Sequence, residues 1–215
     1  MKELIIVSFT SWTKRFENIP AVVTSILNQT TKADRIILNL GYQEVPPPHI
    51  SDFLNRNNVE IYRTEDTKVY KKIMHTLRRF PDACVINIDD DIIFKPDLIE
   101  KFIKMHNRYP DYPISGNNVY VHGMKCHCGE ASLTKLEYFG NYLQEIDNTL
   151  ICNCPSSDIV YSYFATLAGH PYIEVNQDLS NTINKISGYS ASSIMENGIE
   201  EGSRLRYECL EYELA

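Results

Sequence analysis

Val85-Ile86-Asn87-Ile88-Asp89-Asp90-Asp91-Ile92-Ile93-Phe94 is the stretch on which the reading of this chain turns: three adjacent carboxylates pinned between two apolar, β-prone segments. Ionised carboxylates this close repel one another. In a partly desolvated setting one of them stays protonated, or the group shares a positive partner. A divalent metal meets that need. With Cys84 to Ile88 as a buried strand, the acids fall at its carboxyl end, where open α/β sheets bind their ligands. The competing reading is a solvated acidic turn, since charge runs usually face water. The apolar flanks favour the metal.

Working outward, Lys68 to Arg79 carries Val69, Ile73, Met74 and Leu77 on one helical face with a basic opposite side, and Phe80-Pro81 ends it. Upstream, Leu4 to Phe9 is a short apolar run with β-branched residues, suited to a central strand. Pro20 opens a helix over Ala21 to Asn28, Arg35 to Leu40 reads as a second strand, and Val59 to Tyr62 as a third. The Pro46-Pro47-Pro48 run marks a loop, and Ser51 suits the cap of a short helix to Asn55. After the acids, Lys95-Pro96-Asp97 turns the chain into a helix from Leu98 to Met105 or beyond. Alternating strands and helices predict an α/β sheet covered on both sides.

The second half differs in texture. Tyr109 to Asn153 is rich in Tyr, Gly, Asn, His and Cys, with Ile114 to His122 reading as a strand. Pro155-Ser156-Ser157-Asp158 looks like a helix N-terminus. It is followed by Ile159, Tyr163, Phe164, Leu167 and Ala168 at helical intervals and stopped by Gly169. Beyond Asn176 the chain turns polar and Ser-rich, and Glu200 to Ala215 suits an amphipathic helix or a loose end.

Composition narrows the function. At 215 residues and 43% hydrophobic, the chain suits one domain over 1–215 with a sizeable core. A net charge of -7 argues against nucleic-acid partners, which call for a face rich in Lys and Arg. No apolar run reaches the roughly 20 residues of a membrane span, and MKELIIVSFTSW lacks signal-peptide features. A cytoplasmic location is therefore expected. The C-x-C pairs Cys126/Cys128 and Cys152/Cys154 offer four thiolates to zinc if they meet, but zinc more often uses C-x-x-C. Buried packing thiols are the preferred reading, ahead of zinc or a disulfide, and Cys84 and Cys209 read as packing residues too.

Three features together resemble the GT-A glycosyltransferases, in particular small bacterial members similar to glycosyltransferase family two. The first is Val7-Ser8-Phe9-Thr10-Ser11-Trp12-Thr13-Lys14-Arg15, leading through Pro20 to Ser25-Ile26-Leu27-Asn28-Gln29-Thr30 and Asp34-Arg35-Ile36-Ile37-Leu38. The second is Lys72 ahead of Asp89-Asp90-Asp91. The third is Ser156-Ser157-Asp158 before an aromatic helix and Gly169. The likeness spans Ile5 to Gly169. It implies an α/β fold of GT-A type, a Rossmann-like mixed sheet flanked by helices, with an irregular C-terminal acceptor part. Residues 1–108 would form the nucleotide-sugar binding half, and 109–215 the acceptor-side half and tail.

The resemblance also implies roles. The triplet corresponds to the family's D-x-D motif, which holds Mn2+ or Mg2+ against a nucleotide-sugar diphosphate. Asp91 is the implied metal ligand, with Asp89 also near the nucleoside and Asp90 bridging or behind. Thr10 and Arg15 fall where base and ribose rest, with the Arg15 guanidinium suited to phosphate, and Asp66 is placed at the uracil or ribose. Lys72 would steady the diphosphate, whereas Lys68 and Lys71 read as solvated. Asp158 matches the catalytic base; its other reading is a helix N-cap, and its neighbours Ser157 and Ile159 lack the second acid often found there. Asp147 is the alternative base. His170 is the candidate for closing the metal shell, with His122 behind it. Tyr138, Tyr142, Tyr161 and Tyr163 suit either stacking on an acceptor sugar or the core edge.

The expected function is a metal-dependent inverting glycosyltransferase, with a UDP-sugar donor and a glycan or lipid-linked acceptor in surface polysaccharide assembly. Peripheral contact with the inner membrane is compatible with it. Two alternatives stand beside it: a non-catalytic nucleotide-sugar or glycan-binding module, and a haloacid dehalogenase-like phosphatase in which Asp89 is a nucleophile.

Overall fold

The computed structural model describes residues 3–116, 118–121, 124–127, 130–154, 156–174 and 183–185. In chain order the strands are β1 (Ile5–Thr10), β2 (Arg35–Gly41), β3 (Glu60–Thr64), β4 (Cys84–Ile88), β5 (Ile92–Phe94), β6 (Ile114–Ser115), β7 (Asn118–Val121), β8 (Met124–His127), β9 (Ala131–Thr134), β10 (Ile173–Glu174) and β11 (Ile183–Lys185). The helices are α1 (Ile19–Leu27), α2 (Pro48–Arg56), α3 (Lys71–Arg79), α4 (Leu98–Arg108), α5 (Asn148–Asn153) and α6 (Ser157–Leu167). Seven strands form one sheet in the order β10-β6-β9-β4-β1-β2-β3. β1 runs parallel to both β2 and β4, while β9 lies antiparallel to β4 and makes the sheet mixed. Two small ribbons, β5 with β11 and β7 with β8, stand apart.

Period-two alternation sorts the strand residues between two layers. Ile5, Val7 and Phe9 of β1, with Cys84, Ile86 and Ile88 of β4, pack with Val22 and Val23 of α1, Leu54 of α2 and Phe102 of α4. Ile6 and Val85 face the other way, onto Ile73, Met74 and Leu77 of α3 and Tyr161 and Phe164 of α6. Residues such as Val7, Ile37 and Ile86 have no exposure at all, and each such aliphatic side chain stabilises by roughly 1.5–3 kcal/mol. On the α3 side the apolar layer gives way to a buried polar belt near the strand ends. Ser8 Oγ donates to Lys72 O (2.6 Å), and Asn39 Nδ2 donates to Ser8 Oγ (3.1 Å) and Thr76 Oγ1 (2.9 Å). That belt fixes the first turn of α3 against β1 and β2.

Several expectations need correction. Pro48 does not lie in a loop: it starts α2, where its missing N–H costs no hydrogen bond, and Ser51 lies inside that helix with Pro47 at the cap. The segment beginning at Lys68 is a short 3-10 turn, Lys68–Tyr70, before α3 takes over at Lys71. Lys71 is buried at 3% exposure, not solvated, because Asp66 and Glu44 pair with it. The strand expected over Ile114 to His122 is divided into β6 and β7, and His122 lies outside the described residues, as do Cys128, Cys209 and the tail. Cys154 is disulfide-bonded, against the packing-thiol reading, while Cys84 and Cys126 are buried thiols and Cys152 is an exposed one. Gly169 ends α6 at φ +89°, a left-handed turn that lets Gly169 N and His170 N bond back to Thr166 O and Ala165 O. Among the described residues no helix is long and apolar enough to cross a membrane.

Candidate active site

The alternation that builds the core also divides the aspartate run at the carboxyl end of β4. Asp89 continues the Val85, Asn87 side and meets α3 and α6; Asp90 continues the Ile86, Ile88 side and meets the loop after β1. Lys72 Nζ donates to Asp89 Oδ1 at 2.7 Å and lies 3.7 Å from Asp158 Oδ1. The Lys72 side chain is 5% exposed, against 32% for Asp89 and 25% for Asp158. A buried ammonium thus bridges two partly exposed carboxylates supplied by β4 and by the first turn of α6. Burial opposes the Lys72 charge, but Asp89 and Asp158 outweigh it and raise its pKa. Burial, then the Asp158 and Asp91 charges, push Asp89 up to about 6 against the pull of Lys72.

Asp90 has a different environment. Ser11 Oγ donates to its Oδ2 at 2.6 Å and Arg15 Nη1 to its Oδ1 at 2.8 Å, so both oxygens are engaged at 5% exposure. Burial raises the Asp90 pKa, and the Ser11 and Arg15 bonds hold it back. Arg15 Nη1 also reaches Asp91 Oδ2 at 3.3 Å. Its guanidinium points inward at carboxylates, and orienting them is what it does here. Asp90 anchors the loop after β1 to the end of β4, leaving Asp89 and Asp91 as the carboxylates with solvent access.

The remaining candidates fall around this centre. Thr10 Oγ1 donates to Asn39 O at 2.8 Å, tying β1 to β2. Asp66, just past β3, bonds Lys71 Nζ at 2.5 Å and Lys68 Nζ at 3.1 Å. Burial works to raise its pKa, but the Lys71 and Lys68 hydrogen bonds prevail and lower it to about 2. Lys71 and Lys72, adjacent at the start of α3, therefore serve two different carboxylate groups. Ser156 occupies the N-cap of α6, so Asp158 stands inside the first turn and is not the cap. Asp147 is a cap: its Oδ1 accepts from Leu150 N at 2.8 Å at the start of α5.

His170 is not brought to the aspartates. Its Nδ1 lies 2.7 Å from Asp111 O and its ring 5.6 Å from Tyr138, whose hydroxyl neighbours His106. Asp158 and His170 lie at opposite ends of α6, which at about 1.5 Å per residue separates them by more than 10 Å. Tyr138 and Tyr161 are buried and Tyr142 stacks on Phe164, which puts these rings in the core. Ser11 and Lys71 were not singled out as site residues. The signal for Ser11 was its place four residues before Arg15 in the same tight turn; Lys71 had none, because helical periodicity alone put it on the polar face. A cavity of about 410 Å³ is lined by Asn39, Tyr42, Tyr62, Arg63, Thr64, Glu65, His75, Arg78 and Arg79, and by none of the aspartates.

The carboxylates, the lysine and the arginine converge at the carboxyl end of a parallel-rich α/β sheet, where open sheets of this class bind their ligands. The chain belongs to glycosyl transferase family 2, whose model matches residues 4–165. That makes it a glycosyltransferase-type protein. Comparison with curated proteins finds no match. Among solved structures, a 4-diphosphocytidyl-2C-methyl-D-erythritol synthase is similar at a TM-score of 0.57 and 8% identity, covering 92% of this chain and 98% of that one. A CMP:2-keto-3-deoxy-manno-octonic acid synthetase solved with CTP is similar at 0.52 and 11% identity, covering 81% and 90%. At such identities the likeness concerns the fold. Membership in the family favours the glycosyltransferase reading over the haloacid dehalogenase one.

Proposed function

We propose that the protein is a metal-dependent inverting glycosyltransferase that transfers a sugar from a UDP-sugar to a glycan or lipid-linked acceptor in surface polysaccharide assembly. The observation that carries this reading is the Lys72 bridge, which joins Asp158 of α6 to the aspartate run of β4. Within this group of six, the four carboxylates Asp89, Asp90, Asp91 and Asp158 stand against the two cations Lys72 and Arg15, a net excess of two negative charges. That excess matches one divalent cation, and hard carboxylate oxygens suit Mn2+ or Mg2+. Asp91 and Asp89, the two with solvent access, would hold the ion. When bound, such an ion offsets the negative charge that develops on the departing diphosphate.

The chain's own groups would do the rest. Arg15 and Ser11 keep Asp90 fixed and so set the direction of Asp89 and Asp91. Asp158, held 3.7 Å from the Lys72 ammonium, accepts the proton of the acceptor hydroxyl. Thr10 and Asp66 mark the nucleoside side, within the 1–108 half; residues 109–215 supply the acceptor side. Peripheral attachment to the cytoplasmic face of a membrane would suit a lipid-linked acceptor.

The test pairs binding with turnover. UDP with Mn2+ is expected to raise the melting temperature, and Asp91→Ala to remove the manganese-dependent part. A panel of nucleotide-sugars incubated with Mn2+ is then assayed for release of the nucleoside diphosphate. A shift without turnover on any donor or acceptor would favour a non-catalytic binding module. No response to any nucleotide, CTP included, would overturn the donor site itself.

A further inference from the structure

At the opposite end of β4 from the aspartates, three side chains of different chemistry meet. They are Glu3, two residues before β1; Cys84, the first residue of β4; and His106, in the last turn of α4. One ligand atom from each lies within 4.8 Å of the others. Cys84 and His106 are 2% and 6% exposed, and the Glu3 side chain is 37% exposed, which leaves a path from solvent.

The hydrogen-bond pattern points to a cation. The Tyr138 hydroxyl donates to Pro110 O at 2.5 Å, so its oxygen is left to accept from His106 Nδ1 at 3.4 Å. With that proton on Nδ1, a neutral His106 presents the lone pair of Nε2 to Glu3 Oε2, 3.1 Å away. Two acceptors face each other, and a proton or a metal must stand between them. A separation near 3 Å is the edge of a tetrahedral shell whose bonds run about 2.0–2.3 Å. Lys135 Nζ occupies the other Glu3 oxygen at 3.0 Å and is itself paired with Glu137 at 2.6 Å, so Oε2 alone is turned inward.

We infer that Glu3, Cys84 and His106 form a second, chemically distinct metal site that takes a zinc-class ion. Its sulfur and imidazole donors prefer a borderline-soft cation, whereas the aspartate centre offers hard oxygens alone. Binding expels the Cys84 proton to solvent as the thiolate–metal bond forms. Charge then balances: the ion's two positive charges and Lys135 meet Glu3, Glu137 and the Cys84 thiolate. Tyr138 holds the imidazole in the ligating tautomer, and the site pins β1, β4 and α4 together. Water completes the fourth position.

The test titrates cobalt(II) into metal-stripped full-length protein with the Cys154 disulfide left intact and reads the thiolate-to-cobalt charge-transfer absorption. One equivalent is expected to bind with that absorption in the wild type and in Asp91→Asn and Cys152→Ser. The absorption is expected to be lost in Cys84→Ser and His106→Gln, and Tyr138→Phe to bind roughly tenfold more weakly. No thiolate absorption in the wild type, or its persistence in Cys84→Ser, overturns the site. Should Cys84→Ser fail to fold, X-ray absorption on zinc-loaded wild type decides without a variant. One sulfur among nitrogen and oxygen ligands supports the assignment; no sulfur, or two or more, refutes it.

Discussion

Replacing Lys72 by Met keeps most of the unbranched side chain but removes the charge shared by Asp89 and Asp158. The Lys72 side chain is 5% exposed, and its loss leaves two carboxylates facing each other without their counter-ion. Stripping one member from a fully buried pair costs about 3–5 kcal/mol. Here the carboxylates are 32% and 25% exposed, so water screens part of the penalty and the expected cost falls to about 1–3 kcal/mol. For a chain of this size a loss of about 2 kcal/mol lowers the melting temperature by roughly 4–8 °C. The backbone role is untouched, since Ser8 Oγ bonds the Lys72 carbonyl. Chemical denaturation of Lys72→Met, Asp89→Asn and the double variant forms a cycle. The double variant is expected to be more stable than the two single effects combined by at least about 1 kcal/mol. If the single effects add within about 0.5 kcal/mol, the bridge carries no coupling and the argument built on it fails.

Asp158→Asn is expected to abolish transfer while leaving the UDP and manganese melting shift intact; a fully active variant would remove Asp158 as the base. Asp147→Ala loses the N-cap of α5 and is expected to cost about 1 kcal/mol in denaturation with turnover preserved, whereas lost turnover at unchanged stability would return Asp147 to the catalytic role. For Asp66, the folded pKa of about 2 lies below the usual 3.8, so its contribution is present above the unfolded value and disappears as pH falls through about 2. Its side chain is 50% exposed, which keeps the effect under about 1 kcal/mol. Asp66→Asn should flatten the wild-type loss of stability between pH 4 and 2, and an unchanged acid profile would show that Lys71 and Lys68 give Asp66 no net support.

How much was legible in the sequence follows from the range of each interaction. β4 was readable to the residue, Cys84 to Ile88, because a fully buried strand needs an unbroken apolar run and the acids end it abruptly. α6 and its Gly169 stop were readable for the same local reason. β9, β6 and β10 are two to four residues long and are held by pairing with neighbours, so their own composition says little. The start of α2 at Pro48 was missed because three prolines suggest a breaker, although the first helical turn tolerates one. In the site, the positions of Asp89 to Asp91 were clear but their division of labour was not. It depends on partners from three distant segments, and the burial of Lys71 depends on Asp66 and Glu44 in the same way.

The division among the aspartates gives Asp90 a job separate from that of Asp89 and Asp91, the two proposed ligands. Past Ile88 one backbone bond, Asp89 N to Glu130 O at 3.2 Å, continues the pairing with the β9 side, and successive side chains there point to opposite layers. Asp90 lies on the α1 side, where Ser11 and Arg15 engage both of its oxygens and hold the strand end to the loop after β1. That contact can fix Asp89 and Asp91 only because they flank it in sequence. Asp90→Asn would keep the shape and one acceptor but lose the charge that faces Arg15. The guanidinium would then turn to Asp91, already 3.3 Å away, and compete with a cation for it. Asp90→Asn is therefore expected to weaken manganese binding without touching a ligand, and calorimetry with Mn2+ against Asp91→Asn reads the difference. Unchanged affinity in Asp90→Asn would mean that the loop after β1 does not govern the direction of its neighbours.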